Sequence, residues 1–119
     1  MNNQTQEFLK RWHRGLERRD LDSMLSCYDE NAEIRVVDRF HPPSSPMTIR
    51  GKNAIQAYFG DIFKRDLFHK IESEVVSENR VAFTDTCQYA NGSKVIANEI
   101  CELRDGKVLK QVTVQAWDE

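Results

Sequence analysis

The sequence predicts an α+β domain in which three N-terminal helices pack on one face of a curved antiparallel sheet. Three observations lead there. Apolar residues recur at three- and four-residue spacing through the first half. From Leu67 onward the period changes to two. Turn signals of the Asn and Gly type then divide the second half into four strand-like runs. Helices grouped ahead of a strand meander argue for segregated layers instead of alternating βαβ units.

In chain order, Phe8, Leu9, Trp12 and Leu16 mark one apolar face from about Gln4 to Arg18. Asp20 is placed to cap a second, short helix carrying Leu21, Met24, Leu25 and Tyr28. The run "AEIRVVD" alternates well enough for a short strand ending near Asp38. A stiff loop follows, because Pro42, Pro43 and Pro46 restrict the backbone and remove three hydrogen-bond donors. Gly51 stands where the cap of a third helix belongs. That helix carries Ile55, Tyr58, Phe59, Ile62 and Phe63 and runs to about Arg65. The strand runs are "FHKIESEVVS", "RVAFTDTCQYA", "SKVIANEICEL" and "KVLKQVTVQAW", separated by "EN", "NG" and "RDG".

A chain of 119 residues that is 39% apolar and 30% charged reads as one globular domain, residues 1–119. A net charge of −2 offers no electrostatic case for nucleic acid. The basic run "KRWHRGLERRD" lies on a helix whose other face is apolar, so it reads as a solvated face. No apolar run approaches the ~18 residues that span a membrane, and "MNNQTQE" lacks a signal-peptide layout. Cys27, Cys87 and Cys101 have no metal-ligand spacing and leave one thiol over in any disulfide scheme, which fits a reducing, cytoplasmic setting. Neither a metal nor a cofactor is expected.

Two acids sit among apolar residues. Asp85 lies between Val81, Phe83, Cys87 and Tyr89, and Glu99 between Val95, Ala97, Cys101 and Leu103. A carboxylate so placed must pair, protonate or face a wet cavity. Desolvation raises its pKa and makes it a candidate acid, base or neutral donor. A two-residue "NG" turn would pair Asp85 with Asn98 and turn Glu99 to the opposite face. A three-residue loop with a Gly92 bulge would bring both acids to one side and unite the two apolar faces. Asp38 either accepts backbone hydrogen bonds in a turn or points into a cavity. His69 begins the first long strand with Ile71 and Val75 as its alternation partners, and a structural role and a pocket role are both open for it. Trp12 reads by default as a core side chain.

The segments "LERRDLDSMLSCYDENAEI", "IRGKNAIQAYF", "FHKIESEVV" and "ELRDGKVLKQVTVQAWD", in this order and spacing, closely resemble SnoaL-like members of the nuclear transport factor 2-like superfamily. The resemblance implies a conical α+β barrel with a pocket opening at one end. Its members include ketosteroid isomerases, polyketide cyclases, epoxide hydrolases, dehydratases and non-catalytic binding or association domains, so fold alone does not settle function. It also implies positions: Asp38 near an isomerase's base, Glu99 near its late-strand acid, and His69 where relatives often carry a pocket histidine. Trp12 stands in place of the phenolic donor of the first helix.

Two functions follow as expectations. One is proton transfer on a small, mostly apolar carbonyl compound without cofactor, with Asp38 or His69 as base and Glu99 as neutral hydrogen-bond donor. The other is a non-catalytic module holding a hydrophobic molecule. Trp12, Phe59 and Asp85 are the expected ligand contacts in either case. Apolar residues on both faces of the long strands point to a homodimer through the sheet.

Overall fold

The computed structural model describes residues 3–118, so the domain limits expected at 1 and 119 lie outside the described residues. Helices α1 (Asn3–Arg18) and α2 (Leu21–Leu25) precede β1 (Tyr28–Val37) and β2 (Met47–Arg50). Helix α3 (Gly51–Phe63) then leads into β3 (Leu67–Val76), β4 (Arg80–Tyr89), β5 (Lys94–Arg104) and β6 (Lys107–Trp117). The six strands form one open sheet in the order β2-β1-β6-β5-β4-β3. Four of its pairings are antiparallel, but β1 runs parallel to β6, so the sheet is mixed. Among the described residues, no helix is long and apolar enough to cross a membrane.

Local chemistry explains most element ends. Asp20 caps α2 by accepting from the Ser23 amide at 3.2 Å, satisfying one of the amides a helix start leaves free. The helix closes at Leu25, and Tyr28, expected on it, instead opens β1 fully buried. The cap of α3 is Arg50, and Gly51 is its first residue, with φ of 81°. The proline segment is shorter than its composition suggests. Its end, Met47–Arg50, is a strand paired with β1 from Glu33↔Arg50 to Val36↔Met47.

Bulges bend the sheet. The β3–β4 register slips between Glu72 and Val75, where Ser73 has φ of 59°. A second slip divides β5 from β6 at Glu102/Leu103. An extra residue on one strand kinks it and reverses the facing of the side chains beyond it. Val75, expected inside with His69, is therefore exposed, while Val76 packs on the core. On β6 the alternation turns Gln111 and Thr113 inward and leaves Val112 and Val114 outside.

The core lies between helices and sheet, where Trp12 meets Phe83 edge-on at 4.8 Å and Tyr28 tilts against Phe59 at 5.7 Å. Gly15 lets α1 approach α2, since a Cβ there would stand 3.0 Å from the Met24 amide nitrogen and 3.2 Å from its Cα. Alanine gains about 1 kcal/mol over glycine in a helix interior, but overpacking a tight contact costs about 1–3 kcal/mol. Gly15→Ala should therefore lower the urea midpoint. A raised midpoint would mean that the two helices separate at no cost.

Candidate functional site

The hairpin between β4 and β5 decides where the two acids point. Tyr89 donates to Ser93 O at 2.9 Å, the loop is Ala90–Asn91–Gly92, and Gly92 has φ of 90°. The register is then Phe83↔Glu99 and Asp85↔Ala97, which places both carboxylates on the inner face. Each is only 6% exposed. The same face of β3 brings in His69, directly opposite Cys87.

His69 and Asp85 form a close pair. Nδ1 of the imidazole lies 3.2 Å from Asp85 Oδ2 and 3.3 Å from Oδ1, and both side chains are nearly buried. An ionised carboxylate only accepts, so the imidazole proton belongs on Nδ1 and the lone pair on Nε2. Cys87 Sγ stands 3.2 Å from the same Nδ1.

Glu99 is held differently. Its Oε1 accepts from Gln111 Nε2 and from the Thr113 hydroxyl, each at 3.2 Å. Gln111 Nε2 also reaches Thr113 Oγ1 at 3.1 Å, and its Oε1 accepts from the Tyr28 hydroxyl. Tyr28 in turn accepts from Trp12 Nε1 at 3.2 Å. A buried polar chain thus runs from α1 across β1 and β6 to β5. Glu99 Oε2 has no partner among the described residues. Burial first, and the Asp85 charge second, push the Glu99 carboxyl up to about 8. With both donors on Oε1, the proton of the neutral acid sits on Oε2.

His69, Asp85, Cys87 and Glu99 line one inner cavity of about 50 Å³, which also touches Trp12 and Phe59. That volume accommodates one or a few water-sized groups. The cavity continues into an outer cleft of about 1030 Å³, with Tyr58, Ile62, Arg65, Tyr89, Gln115 and Trp117 lining both. A cation–aromatic stack borders the passage: the Arg39 guanidinium lies 4.3 Å over Trp117, and Trp117 stacks on Tyr89 at 5.9 Å. Asp38 belongs to the outer cleft, not the inner cavity. Its Oδ1 accepts from the Phe40 amide at 2.9 Å and lies 2.8 Å from His41 Nδ1, closing the turn that begins the proline loop. Five of the six sequence-derived candidates, Trp12, Phe59, His69, Asp85 and Glu99, therefore meet around one cavity, and Asp38 stands at its mouth.

The sequence matches the family model of the SnoaL-like domain over residues 9–111. The chain belongs to the SnoaL-like domain family. Its structure is similar to those of other proteins of the nuclear transport factor 2-like superfamily. An NTF2-like protein of unknown function from Mesorhizobium loti superposes with a TM-score of 0.85 at 16% identity, covering 97% of this chain and 93% of that one. An NTF2-like protein of unknown function from Burkholderia xenovorans gives 0.77 at 21% identity, covering 98% and 84%. A steroid delta-isomerase from Pseudomonas aeruginosa gives 0.77 at 12% identity, covering 98% and 82%. At these identities the likeness is one of fold. A search of curated proteins finds no match.

Several positions in and around the cavity of this SnoaL-like domain escape a reading by apolar pattern. Tyr58 counts as part of an apolar helix stripe, yet it lines both cavities. Burial, then the charges of Glu99, Asp38 and Asp85, raise its hydroxyl pKa far above the ordinary value, so it stays a neutral donor. Although tryptophan replaces the phenol of the first helix, the SnoaL-like pocket still has phenols nearby, from β1 and α3. Gln111 and Thr113 were hidden by the β6 bulge. The signal for them was the alternation Gln111–Thr113–Gln115 in a strand beside an inward-facing acid.

Proposed function

We propose that this SnoaL-like protein is a cofactor-independent proton-transfer catalyst, of isomerase or cyclase type, for a small hydrophobic carbonyl compound. One observation carries the reading: an Asp85-oriented imidazole and a carboxyl kept neutral near pH 7 line the same cavity. His69 Nε2 removes a proton from the carbon beside the carbonyl, and Asp85 stabilises the imidazolium that results. The Glu99 Oε2–H donates to the developing enolate oxygen, and Tyr58 supports it. Return of the proton from His69 to another carbon completes an isomerisation. The small inner cavity suits the reacting end of the substrate, and the outer cleft its remainder. The family and the isomerase among its fold neighbours are consistent with this chemistry.

Incubating the protein in D2O with a panel of small enones and cyclic ketones tests the reading. Protein-dependent loss of the α-proton NMR signal is the expected result. If ligands quench Trp12 and Trp117 fluorescence and no compound exchanges, the pocket is a binding module and the catalytic reading fails.

The working form is proposed to be a homodimer. Ile96 (48% exposed), Ile100 (55%), Val112 (42%) and Val114 (46%) lie on the outer face of β5 and β6, with Ile100 directly opposite Val112. Monomers seldom expose such a contiguous apolar patch. Ile100→Lys should shift the sedimenting species from dimer to monomer at micromolar concentration. A wild-type chain that already sediments as a monomer rejects this assembly. The unpaired thiols Cys27, Cys87 and Cys101 favour a cytoplasmic setting.

A further inference from the structure

We propose that His69, Asp85 and Cys87 form a site for a divalent cation such as Zn2+, with Glu99 of the same cavity moving in as the fourth ligand. The three donor atoms already converge. His69 Nδ1 is 3.2 Å from Cys87 Sγ and 3.2 Å from Asp85 Oδ2, and one donor atom of each residue falls within 4.8 Å of the others. Zinc bonds of about 2.0–2.3 Å in tetrahedral geometry imply donor separations of roughly 3.3–3.6 Å. Each partner is therefore within a few tenths of an ångström of coordination spacing from His69 Nδ1, and Asp85 and Cys87, within 4.8 Å, close on each other by up to roughly 1.3 Å through side-chain rotation.

The scaffold is suited to holding them. His69 and Cys87 are register partners on adjacent strands, and Asp85 lies two residues along the same face of β4. Sites built on strands keep their geometry better than sites built on loops. Imidazole, carboxylate and thiolate together suit zinc better than the hard cations, which take oxygen alone.

An independent observation comes from Glu99. It is 6% exposed, lines the same cavity, and has Oε2 without a partner among the described residues. A cation at the cluster gives Oε2 a partner. On binding, the Cys87 thiol proton and the Glu99 proton leave to solvent, while the imidazole proton moves to Nε2 as the metal takes Nδ1. An imidazole protonated on Nε2 is no longer a base, so the bound cation switches off proton transfer.

Cobalt titration of the reduced, chelator-treated full chain tests the site without any substrate. The expected result is one Co2+ per chain, a thiolate-to-cobalt charge-transfer band in the near ultraviolet, and displacement by Zn2+. Cys87→Ser should lose the band while keeping its circular dichroism, and Asp85→Asn should weaken Zn2+ by roughly tenfold or more. No band at millimolar Co2+ with folded wild-type protein overturns the site, as does a band that survives in Cys87→Ser. Unchanged Zn2+ affinity in Glu99→Gln removes Glu99 from the ligand set. The spectrum and the deuterium-exchange result are separate. A missing band leaves the proton-transfer reading standing, and a present band without exchange by the chelator-treated, metal-free chain overturns only that reading.

Discussion

His69→Ala is expected to lower the proposed proton-transfer activity by about 10²–10⁴-fold, the contribution typical of a positioned general base. The expected loss falls on kcat more than on KM, because the imidazole meets the substrate carbon strongly only while the proton moves. Folding should survive, since His69 sits at the start of β3, a sheet-edge strand, and its truncation leaves Asp85 beside a water-accessible cavity. Asp85→Asn separates orientation from basicity. The amide still contacts Nδ1, but it no longer imposes the tautomer with the lone pair on Nε2. Exchange assays on these two variants with one substrate would show either parallel losses or a loss confined to His69→Ala. A His69→Ala protein with unchanged exchange rates rejects the imidazole as base and returns attention to Asp38 at the mouth.

Glu99→Gln should make the protein more stable above neutral pH. The carboxyl is raised from 4.5 to about 8 in the folded state, so the folded chain holds this proton more tightly than the unfolded one. Its stabilising contribution is complete below about pH 4.5 and disappears as pH rises through 8. At pH 9 the wild-type chain has lost of order 3–5 kcal/mol that an uncharged side chain would keep. Glutamine retains an oxygen for Gln111 and Thr113 but adds an N–H to satisfy, which offsets part of the gain. Thermal melts from pH 5 to pH 9 should thus converge at the acid end and separate in favour of the variant at the alkaline end. The proposed activity should carry the same signature. Wild-type rates should fall above about pH 8 as Glu99 ionises, and that limb should vanish in Glu99→Gln, whose amide remains a donor. Curves that separate the other way would make Glu99 an ionised structural partner.

Periodicity and turn chemistry determined the elements. The 3.6-residue stripe of Phe8, Leu9, Trp12 and Leu16 and the alternation along β5 each have one physical solution, because burial of one face dictates the local conformation. The two acids among apolar residues were likewise visible, since a carboxylate on a buried face stands out whatever lies across from it. Pairing was not visible in this way. Whether Asp85 and Glu99 share a side rested on one residue of loop length, and backbone conformation at Gly92 decided it. The parallel neighbour of β1 and the short strand β2 depend on contacts between segments far apart in the chain, which no local pattern encodes. Bulges at Ser73 and between β5 and β6 reversed the facing of Val75, Gln111 and Thr113, because an added residue shifts every later side chain to the other face of a two-residue repeat. The convergence of His69, Asp85 and Cys87 belongs to the same class. Their spacing along the chain is uninformative, and only the β3–β4 register brings one nitrogen within reach of an oxygen and a sulfur.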